Sequence, residues 1–155
     1  MIALQHEKAL AAATRIEQYV VSIEHELGWT ALPRTGGEED PLKQLRYEYL
    51  KLLRQAPAIT EVAWIDPSGK QRLRVSRLAM DTGASETDFA QDPRVLGATS
   101  GKTWYSSVYF RKETEPYMTV ARAAGGSLGG TTLAEVNLKF ICHNAPCTAP
   151  STPWA

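Results

Sequence analysis

The sequence predicts an α+β domain in which a long N-terminal helix precedes an antiparallel sheet of five strands flanked by further helices. One observation is that the apolar residues before Gly28 recur every three or four positions, which is the spacing of one helix face. A second is that this spacing gives way, after Pro57, to the alternation typical of strands. A third is a hairpin signal in residues 61–77, where a tight-turn sequence separates two strand-like segments.

Length and composition indicate one domain with its own hydrophobic core. The chain has 155 residues, of which 43% are hydrophobic and 22% charged, and that size leaves little room for a second domain. Lys plus Arg and Asp plus Glu both total 17, so no net charge would attract nucleic acid or an anionic membrane. We expect the domain to occupy residues 1–141, with the sheet in residues 58–141 and a Pro-rich tail in residues 142–155.

Targeting signals and membrane spans are not apparent in the sequence. No stretch approaches the roughly 18 apolar residues that a membrane helix needs. The first residues also lack the basic flank and the apolar core of a signal peptide. The sequence as written is therefore expected to be soluble.

The first helix is predicted to span residues 1–28 and to be stopped by Gly28. At about 1.5 Å per residue it would be roughly 40 Å long, which is longer than a small domain is wide. Part of it would then project or pair with a second copy of itself, whereas the alternative is a helix packed along its own domain. Both interpretations stay open, because the apolar seam is thin and consists of Ile2, His6, Ala9, Ala13, Ile16, Val20, Ile23 and Leu27.

A second helix is predicted to begin at Asp40 and Pro41. Asp caps a helix through its side chain, and the missing N–H of Pro costs nothing at the first helical position. Pro57 is expected to end this helix. Its apolar face carries Leu42, Leu45, Tyr49, Leu52 and Leu53.

The hairpin after this helix is the clearest local prediction. Residues 62–65 form a mostly apolar first strand, and Asp66–Gly69 has the residues that a type I turn prefers. The second strand, residues 71–77, alternates polar and apolar positions. Leu73 and Val75 are therefore expected to face the core.

The rest of the chain predicts a short helix and three more strands. The helix begins at Asp88 or Asp92 and ends near Gly97. The Gly-rich residues 125–130 lack the Lys and the following helix of a phosphate-binding loop, so we interpret them as a hairpin loop. The three strands are Trp104–Phe110, Tyr117–Arg122 and Thr131–Ile141.

Catalysis, a metal site and a cofactor are not expected. The three histidines lie at positions 6, 25 and 143, far in sequence from any Ser or Asp that would complete a catalytic pair. Cys142, His143 and Cys147 match no spacing of zinc ligands. A disulfide between the two cysteines is possible, but it would close only a small loop.

One segment suits a small ligand. Lys102, Trp104, Tyr105 and Tyr109 bring a cation, an indole and two phenols together within eight residues. Such aromatic walls beside a charge suit a small organic anion or zwitterion. Strands also prefer aromatic residues, so the segment would serve equally well as core, with Phe110 on the face of Trp104. Both interpretations remain open.

A second candidate is the set of arginines on the hairpin. Arg72 and Arg74 share the face opposite the apolar positions of their strand, which favours a solvated surface over an anion site. Arg77 lies just past the strand and fits either role.

Five segments carry a family resemblance: Ile59–Gly69, Leu73–Arg77, Trp104–Phe110, Glu115–Thr119 and Ala134–Ile141. Together they resemble the extracytoplasmic Cache sensor domains, the PAS-like family of bacterial receptor kinases, cyclases and chemoreceptors. The resemblance reaches from the first helix to Ile141. Each motif is diffuse, and it is their combination that identifies the family.

The resemblance implies a PAS-like fold and a role in signal reception. In the family the domain lies outside the cytoplasmic membrane, between two membrane anchors that this sequence does not contain. A small ligand binds over the sheet, the long first helix often pairs in a homodimer, and the signal passes to a histidine kinase or nucleotide cyclase. The alternative is a ligand-free module of such a receptor that serves only dimerisation.

The resemblance also implies a ligand site. Amino-acid-binding members carry a basic residue, a Trp-Tyr pair, a later Tyr and an Asp, at positions that match Lys102, Trp104, Tyr105, Tyr117 and Asn137. Tyr109 and Arg77 complete the candidate set. Lys in place of Arg loses bidentate carboxylate geometry, and Asn in place of Asp loses the partner of an ammonium group. A carboxylate or other neutral-to-anionic metabolite is therefore a better candidate than an amino acid.

Overall fold

The computed structural model describes residues 2–30, 40–80, 83–98, 102–124 and 128–143, without the side chains of residues 12, 29, 30, 142 and 143. The helices are α1 (Ile2–Thr30), α2 (Pro41–Gln55), α3 (Pro93–Ala98) and α4 (Lys139–His143). The strands are β1 (Ile59–Ile65), β2 (Gln71–Ser76), β3 (Trp104–Tyr105), β4 (Tyr109–Arg111), β5 (Glu115–Ala123) and β6 (Thr131–Asn137).

Within the described part of the chain, helix α1 packs on the domain only through its last turns. Ile23 and Leu27 are buried in the core, whereas the described side chains of residues 2–18 are exposed. The helix also runs through Gly28 to Thr30, so the predicted stop at Gly28 is wrong. A Cβ at Gly28 would lie 3.1 Å from the guanidinium carbon of Arg122, and the glycine is therefore used for close packing rather than for termination.

Helix α2 begins and ends as predicted. The side chain of Asp40 accepts a hydrogen bond from the backbone N–H of Leu42, and Pro41 occupies the first helical position. Its predicted apolar face supplies Tyr49, Leu52 and Leu53 to the core. Leu42, the first member of that face, is exposed because it lies at the outer end of the helix.

The predicted hairpin is confirmed. Strands β1 and β2 pair antiparallel, with Val62 opposite Val75. In the turn between them the N–H of Gly69 donates to the carbonyl of Asp66 at 2.9 Å, and the Asp66 carboxylate accepts from the N–H of Ser68 at 2.9 Å. Side-chain and backbone hydrogen bonds thus define the same turn.

Among the described residues the sheet has six strands rather than the five predicted. All pairings are antiparallel, in the order β2-β1-β6-β5-β3, and β4 also pairs with β5. The predicted strand Trp104–Phe110 is split because Ser106 bonds Thr119 with both its N–H and its hydroxyl, which interrupts the regular ladder. The side chains of the two halves therefore differ in their surroundings. Trp104 packs against core residues, whereas Phe110 is 65% exposed.

The last strand is shorter than predicted. Strand β6 ends at Asn137 rather than Ile141, and residues 139–143 form the short helix α4. The side-chain Oδ1 of Asn137 accepts a hydrogen bond from the backbone N–H of Lys139 at 2.9 Å, which favours a turn over further extension. The side chains of Cys142 and His143, the tail from residue 144 onward and loop residues 125–127 lie outside the described part of the chain.

Each face of the sheet is covered by helices and carries its own core. On one face, here called the helix face, residues of α1 and α2 pack against apolar strand residues, including Val62, Val75, Val120, Ala134 and Val136. The other face, here called the α3 face, has a smaller apolar cluster beneath α3, formed by Ala63, Ile65, Val95, Ala98, Ala121 and Leu133, with Phe89 and Trp104 packed against it. Helix α3 starts after Asp92, as predicted.

Candidate functional site

Polar side chains from five strands converge on the α3 face, beside its apolar cluster. The sheet register brings them into line, since Tyr117 pairs with Asn137 and Thr119 with Glu135, which in turn pairs with Glu61. Alternation along each strand places its members two residues apart on one face. This polar patch comprises Glu61, Arg74, Tyr109, Arg111, Tyr117, Thr119, Glu135 and Asn137.

Glu135 occupies the centre of the polar patch. Its Oε1 accepts hydrogen bonds from Arg111 at 2.6 Å and from the Tyr109 hydroxyl at 3.2 Å. Its Oε2 is buried and has no hydrogen-bond partner among the described residues. Burial raises the pKa of Glu135, an effect that Arg111 opposes and that the nearby Glu61 reinforces. One oxygen of Glu135 is thus hydrogen-bonded within the protein, and the other has no hydrogen-bond partner among the described residues.

Arg74 of β2 likewise has one polar atom that is hydrogen-bonded and one that is not. Its Nη2 donates to Glu61 at 2.7 Å, while its Nε is buried and finds no acceptor within the described part of the chain. A third cation, Arg94 of α3, is held by Asp92 at 2.7 Å and interacts electrostatically with Tyr109 and Glu135. The two carboxylates of the polar patch therefore lie side by side, and each is paired with an arginine, Glu61 with Arg74 and Glu135 with Arg111.

Two tyrosine rings form the wall of the polar patch at its β4 end. The rings of Tyr109 and Tyr117 stack with centroids 6.2 Å apart and planes at 22°. The Tyr117 side chain is only 2% exposed, and its hydroxyl accepts a hydrogen bond from Asn137 Nδ2 at 3.2 Å. The guanidinium of Arg111 lies 5.0 Å above the Tyr117 ring. Burial raises the pKa of both phenols, so both stay protonated near neutral pH.

Trp104 adds an aromatic ring to the apolar part of the α3 face. It pairs with Ala121 and packs against the cluster beneath α3. A Cβ at Gly97 would lie 2.3 Å from Cδ1 of the indole, so the ring rests directly on the backbone of α3. The α3 face thus combines an indole, two phenols and a set of charged groups, which is the composition of a site for a small organic molecule.

The structure brings together four of the seven predicted site residues. Trp104, Tyr109, Tyr117 and Asn137 lie on the α3 face. Tyr105 faces the other way, and its hydroxyl donates to Glu24 of α1 at 2.7 Å; burial and then this carboxylate raise the pKa of Tyr105 to about 12.

The other two predicted site residues lie apart from this group. Lys102 is exposed, ahead of β3. Arg77 donates to the backbone carbonyls of Ile59 at 2.9 Å and Ala56 at 3.4 Å, so it ties the start of β1 to the end of the hairpin.

Sequence reasoning missed Glu61, Arg111, Thr119 and Glu135, and it favoured a solvated face for Arg74. A weak signal was present, because the last strand alternates Leu133, Glu135 and Asn137 on one side. The solvated face is predicted for Arg72 and Arg74, and Arg72 fits that prediction through its ion pair with Asp66 in the turn at 2.6 Å. Arg74 does not, since it bonds Glu61 across the ladder.

Metal chemistry receives no geometric support from the described residues. No group of three or more His, Cys, Asp or Glu side chains within the described ranges could hold a metal ion. The described helices also include none that is long and apolar enough to cross a membrane.

Comparison with solved structures identifies the fold. The ligand-binding domain of the Campylobacter jejuni chemoreceptor Tlp3, in complex with L-norvaline, matches with a TM-score of 0.69 and 14% identity over 91% of this chain and 60% of that chain. The ligand-binding domain of the Pseudomonas aeruginosa amino acid chemoreceptor PctC, in complex with GABA, matches with a TM-score of 0.59 and 15% identity over 92% and 63% of the two chains. A domain of a putative sensory box/GGDEF family protein from Vibrio parahaemolyticus matches with a TM-score of 0.58 and 14% identity over 91% and 62%.

These matches define the class of fold. The chain has the fold of the ligand-binding domains of bacterial chemoreceptors, and the predicted Cache-type, PAS-like fold is confirmed. The chain spans about 60% of the length of the first of these domains. No protein-family model and no curated protein matches the sequence.

Proposed function

We propose that this chain is the extracytoplasmic ligand-binding domain of a bacterial transmembrane signalling protein, such as a histidine kinase or a nucleotide cyclase. A small organic metabolite binds on the α3 face, between the polar patch and Trp104. The fold that the chain shares with chemoreceptor and kinase sensor domains supports this assignment. The role is reception of a chemical signal, and the binding site carries it out without catalysis.

The single observation that carries the proposal is the pair of unpartnered polar atoms in the polar patch. Glu135 Oε2 and Arg74 Nε are buried without a hydrogen-bond partner among the described residues. A buried polar atom left unpaired costs about 1–3 kcal/mol, so proteins satisfy nearly all of them. A ligand that offers a donor to Glu135 and an acceptor to Arg74 would remove both costs.

The same geometry indicates the kind of ligand. A carboxylate on the ligand can bond Arg74 or compete for Arg111, and the stacked rings of Tyr109 and Tyr117 exclude water from one side. The free oxygen of Glu135 then suits a hydroxyl, amide or ammonium group. The ligands bound by two of the similar domains, L-norvaline and GABA, carry a carboxylate together with an amine. We therefore propose a small carboxylate, including amino-acid-like compounds, as the ligand.

A thermal-shift screen of small carboxylates, hydroxy acids and amino acids tests the function. A ligand present at about 100 times its Kd stabilises the folded state by about 2.7 kcal/mol, which is a shift of several degrees for a domain of this size. At least one compound is expected to raise the melting temperature in this way. Simple alkyl amines without a carboxylate serve as controls and are expected to give no shift.

A response to the amines alone would contradict a carboxylate ligand. A complete lack of response across the library would favour the alternative, in which the domain serves dimerisation without a ligand.

The exposed part of α1 fits pairing with a second copy. Ile23 and Leu27 of the predicted seam are already buried in the domain, so only the seam residues before them are available to a partner. Among these, Ile2 is 85% and Ile16 38% exposed. We propose that this stripe forms a helix–helix interface between two copies in the receptor.

Substitution of the seam tests the pairing. Ile2→Asp combined with Ile16→Asp is expected to convert a dimer to a monomer, measured by light scattering, because a buried carboxylate at each crossing is strongly unfavourable. Leu4→Asp is the matched control, since Leu4 is exposed and lies about 200° around the helix from Ile2. An unchanged mass for the double variant, or a monomeric parent, would end this part of the proposal.

A further inference from the structure

Helix α1 is tied to the segment that carries Trp104 by a single carboxylate. Glu24 of α1 accepts a hydrogen bond from the Thr103 hydroxyl at 2.5 Å and another from the Tyr105 hydroxyl at 2.7 Å. The two donors flank Trp104 in the sequence. Each carboxylate oxygen of Glu24 is thus committed to one neighbour of the same tryptophan.

The geometry of β3 explains why both neighbours reach α1. Side chains alternate along a strand, so Thr103 and Tyr105 share the helix face while Trp104 projects to the α3 face. Strand β3 is only two residues long and lies at an edge of the sheet. An edge strand of this length has few ladder hydrogen bonds to hold it in place, and it can shift without disrupting the rest of the sheet.

Glu24 is also linked to the neighbouring strand. Arg122 of β5 donates to the backbone carbonyl of Glu24 at 2.9 Å and lies 3.8 Å from its carboxylate. The hydrogen bonds from Thr103 and Tyr105 lower the pKa of Glu24, so the carboxylate is charged at neutral pH. Charge-assisted hydrogen bonds of this kind are shorter and stronger than neutral ones. Two charge-assisted hydrogen bonds therefore link α1 to β3 and to the residue before it.

We propose that Glu24, Thr103 and Tyr105 form a clasp that couples the position of Trp104 to α1. A ligand on the α3 face that moves the indole displaces β3, and the clasp passes that displacement to the last turns of the helix. This inference rests on the proposed function only in placing the ligand against Trp104. The ligand shifts α1 to the extent that it binds one arrangement of the clasp better than the other.

A ligand-free double-mutant cycle tests the coupling. Gly97→Ala serves as the probe, because the added methyl would lie 2.3 Å from the indole and forces the ring to move. The readout is amide hydrogen exchange of the α1 segment 19–28, with α2 as the internal reference. In the parent, Gly97→Ala is expected to raise α1 exchange by at least about threefold, in line with couplings between residues in contact.

The clasp is then removed by combining Thr103→Val with Tyr105→Phe. In that background α1 exchange is expected to be higher at the outset, and Gly97→Ala is expected to change it by less than about twofold. Tyr47→Phe, at an exposed tyrosine of α2, is the matched control and should leave the full effect of Gly97→Ala in place.

Two results would overturn the clasp. One is an effect of Gly97→Ala on α1 that is equally large with and without the clasp, and the other is no effect on α1 in the parent. If Gly97→Ala raises exchange in α1 and α2 alike, Trp104→Phe replaces it as the probe and the same comparison decides. Because no ligand is added, a negative ligand screen leaves this test unaffected, and failure here leaves binding on the α3 face untouched.

Discussion

Replacing Glu135 by Gln is expected to lower the affinity for the metabolite found in the ligand screen by about 10- to 100-fold, the cost of losing one charged hydrogen bond. The parent carboxylate has one oxygen committed to Arg111 and Tyr109 and one buried oxygen without a partner among the described residues. The amide keeps an acceptor but loses the charge that strengthens a bond to a ligand donor. Isothermal titration calorimetry of both proteins measures the difference.

In the ligand-free protein, by contrast, the same substitution is expected to be favourable, because it increases the unfolding free energy. Burial raises the pKa of Glu135 above its value in the unfolded chain, which is about 4.3. A carboxyl with a raised pKa binds more protons when folded, so its ionisation destabilises the fold as pH rises through that interval. The Gln variant does not ionise. Its unfolding free energy, relative to the parent, is therefore expected to increase as the pH rises above about 4.3, the unfolded-state value.

Glu113→Gln is the control for both measurements. Glu113 is exposed in the turn between β4 and β5, away from the polar patch. The affinity of this variant for the ligand and its unfolding free energy should therefore match those of the parent. An unchanged affinity in Glu135→Gln would remove Glu135 from the ligand site. The proposed function would then lose the observation that carries it.

The fold was predictable where the determinants are local. Asp40 and Pro41 define the start of α2 through capping alone, and Asp66–Gly69 define the hairpin turn through the hydrogen bonds of that short segment. Gly28 shows where local reasoning fails. A glycine near a helix end usually signals a stop, but this one accommodates a guanidinium from Arg122, nearly a hundred residues away.

The residues of the α3 face were predictable only in part, because their grouping depends on strand register. Glu61 and Glu135 are far apart in the sequence and become neighbours only when β1 and β6 pair. No single strand contains the information for that pairing, and a shift of one residue would turn every side chain to the other face. Tyr105 shows the same dependence on position. It directly follows Trp104 in the sequence, and its side chain therefore lies on the opposite face of the sheet, against α1.

Trp104 and Tyr105 explain how a diffuse sequence motif can serve two tasks. The aromatic pair looks like a single ligand-binding unit in the sequence, yet the strand divides it between the α3 face and the helix face. One ring lies where a ligand binds in the proposed function, and the other lies where α1 would respond. In the proposed function, binding and response would therefore involve residues adjacent in the chain whose side chains lie on opposite sides of the sheet.

Tyr117→Ala is expected to destabilise the free protein by about 3–5 kcal/mol, which lowers the melting temperature by on the order of 10 °C. The Tyr117 side chain is 2% exposed, stacks on Tyr109 and accepts a hydrogen bond from Asn137. Its removal leaves a cavity and an unpaired buried amide. Thermal and urea denaturation without ligand measure this loss.

Tyr117→Phe separates the ring from the hydroxyl. It keeps the stack with Tyr109 and loses only the bond from Asn137, so the expected cost is about 1–2 kcal/mol. Tyr47→Ala, at an exposed tyrosine of α2, should change stability by no more than about 0.5 kcal/mol. If Tyr117→Ala left the melting temperature unchanged, the Tyr117 ring would not contribute to the stability of the fold. The stacked tyrosine pair would then be part of the site's surface and not part of the core beneath the α3 face. A large loss in the Ala variant together with ligand binding retained by Tyr117→Phe would show that the buried ring supports the site while the hydroxyl is dispensable for binding.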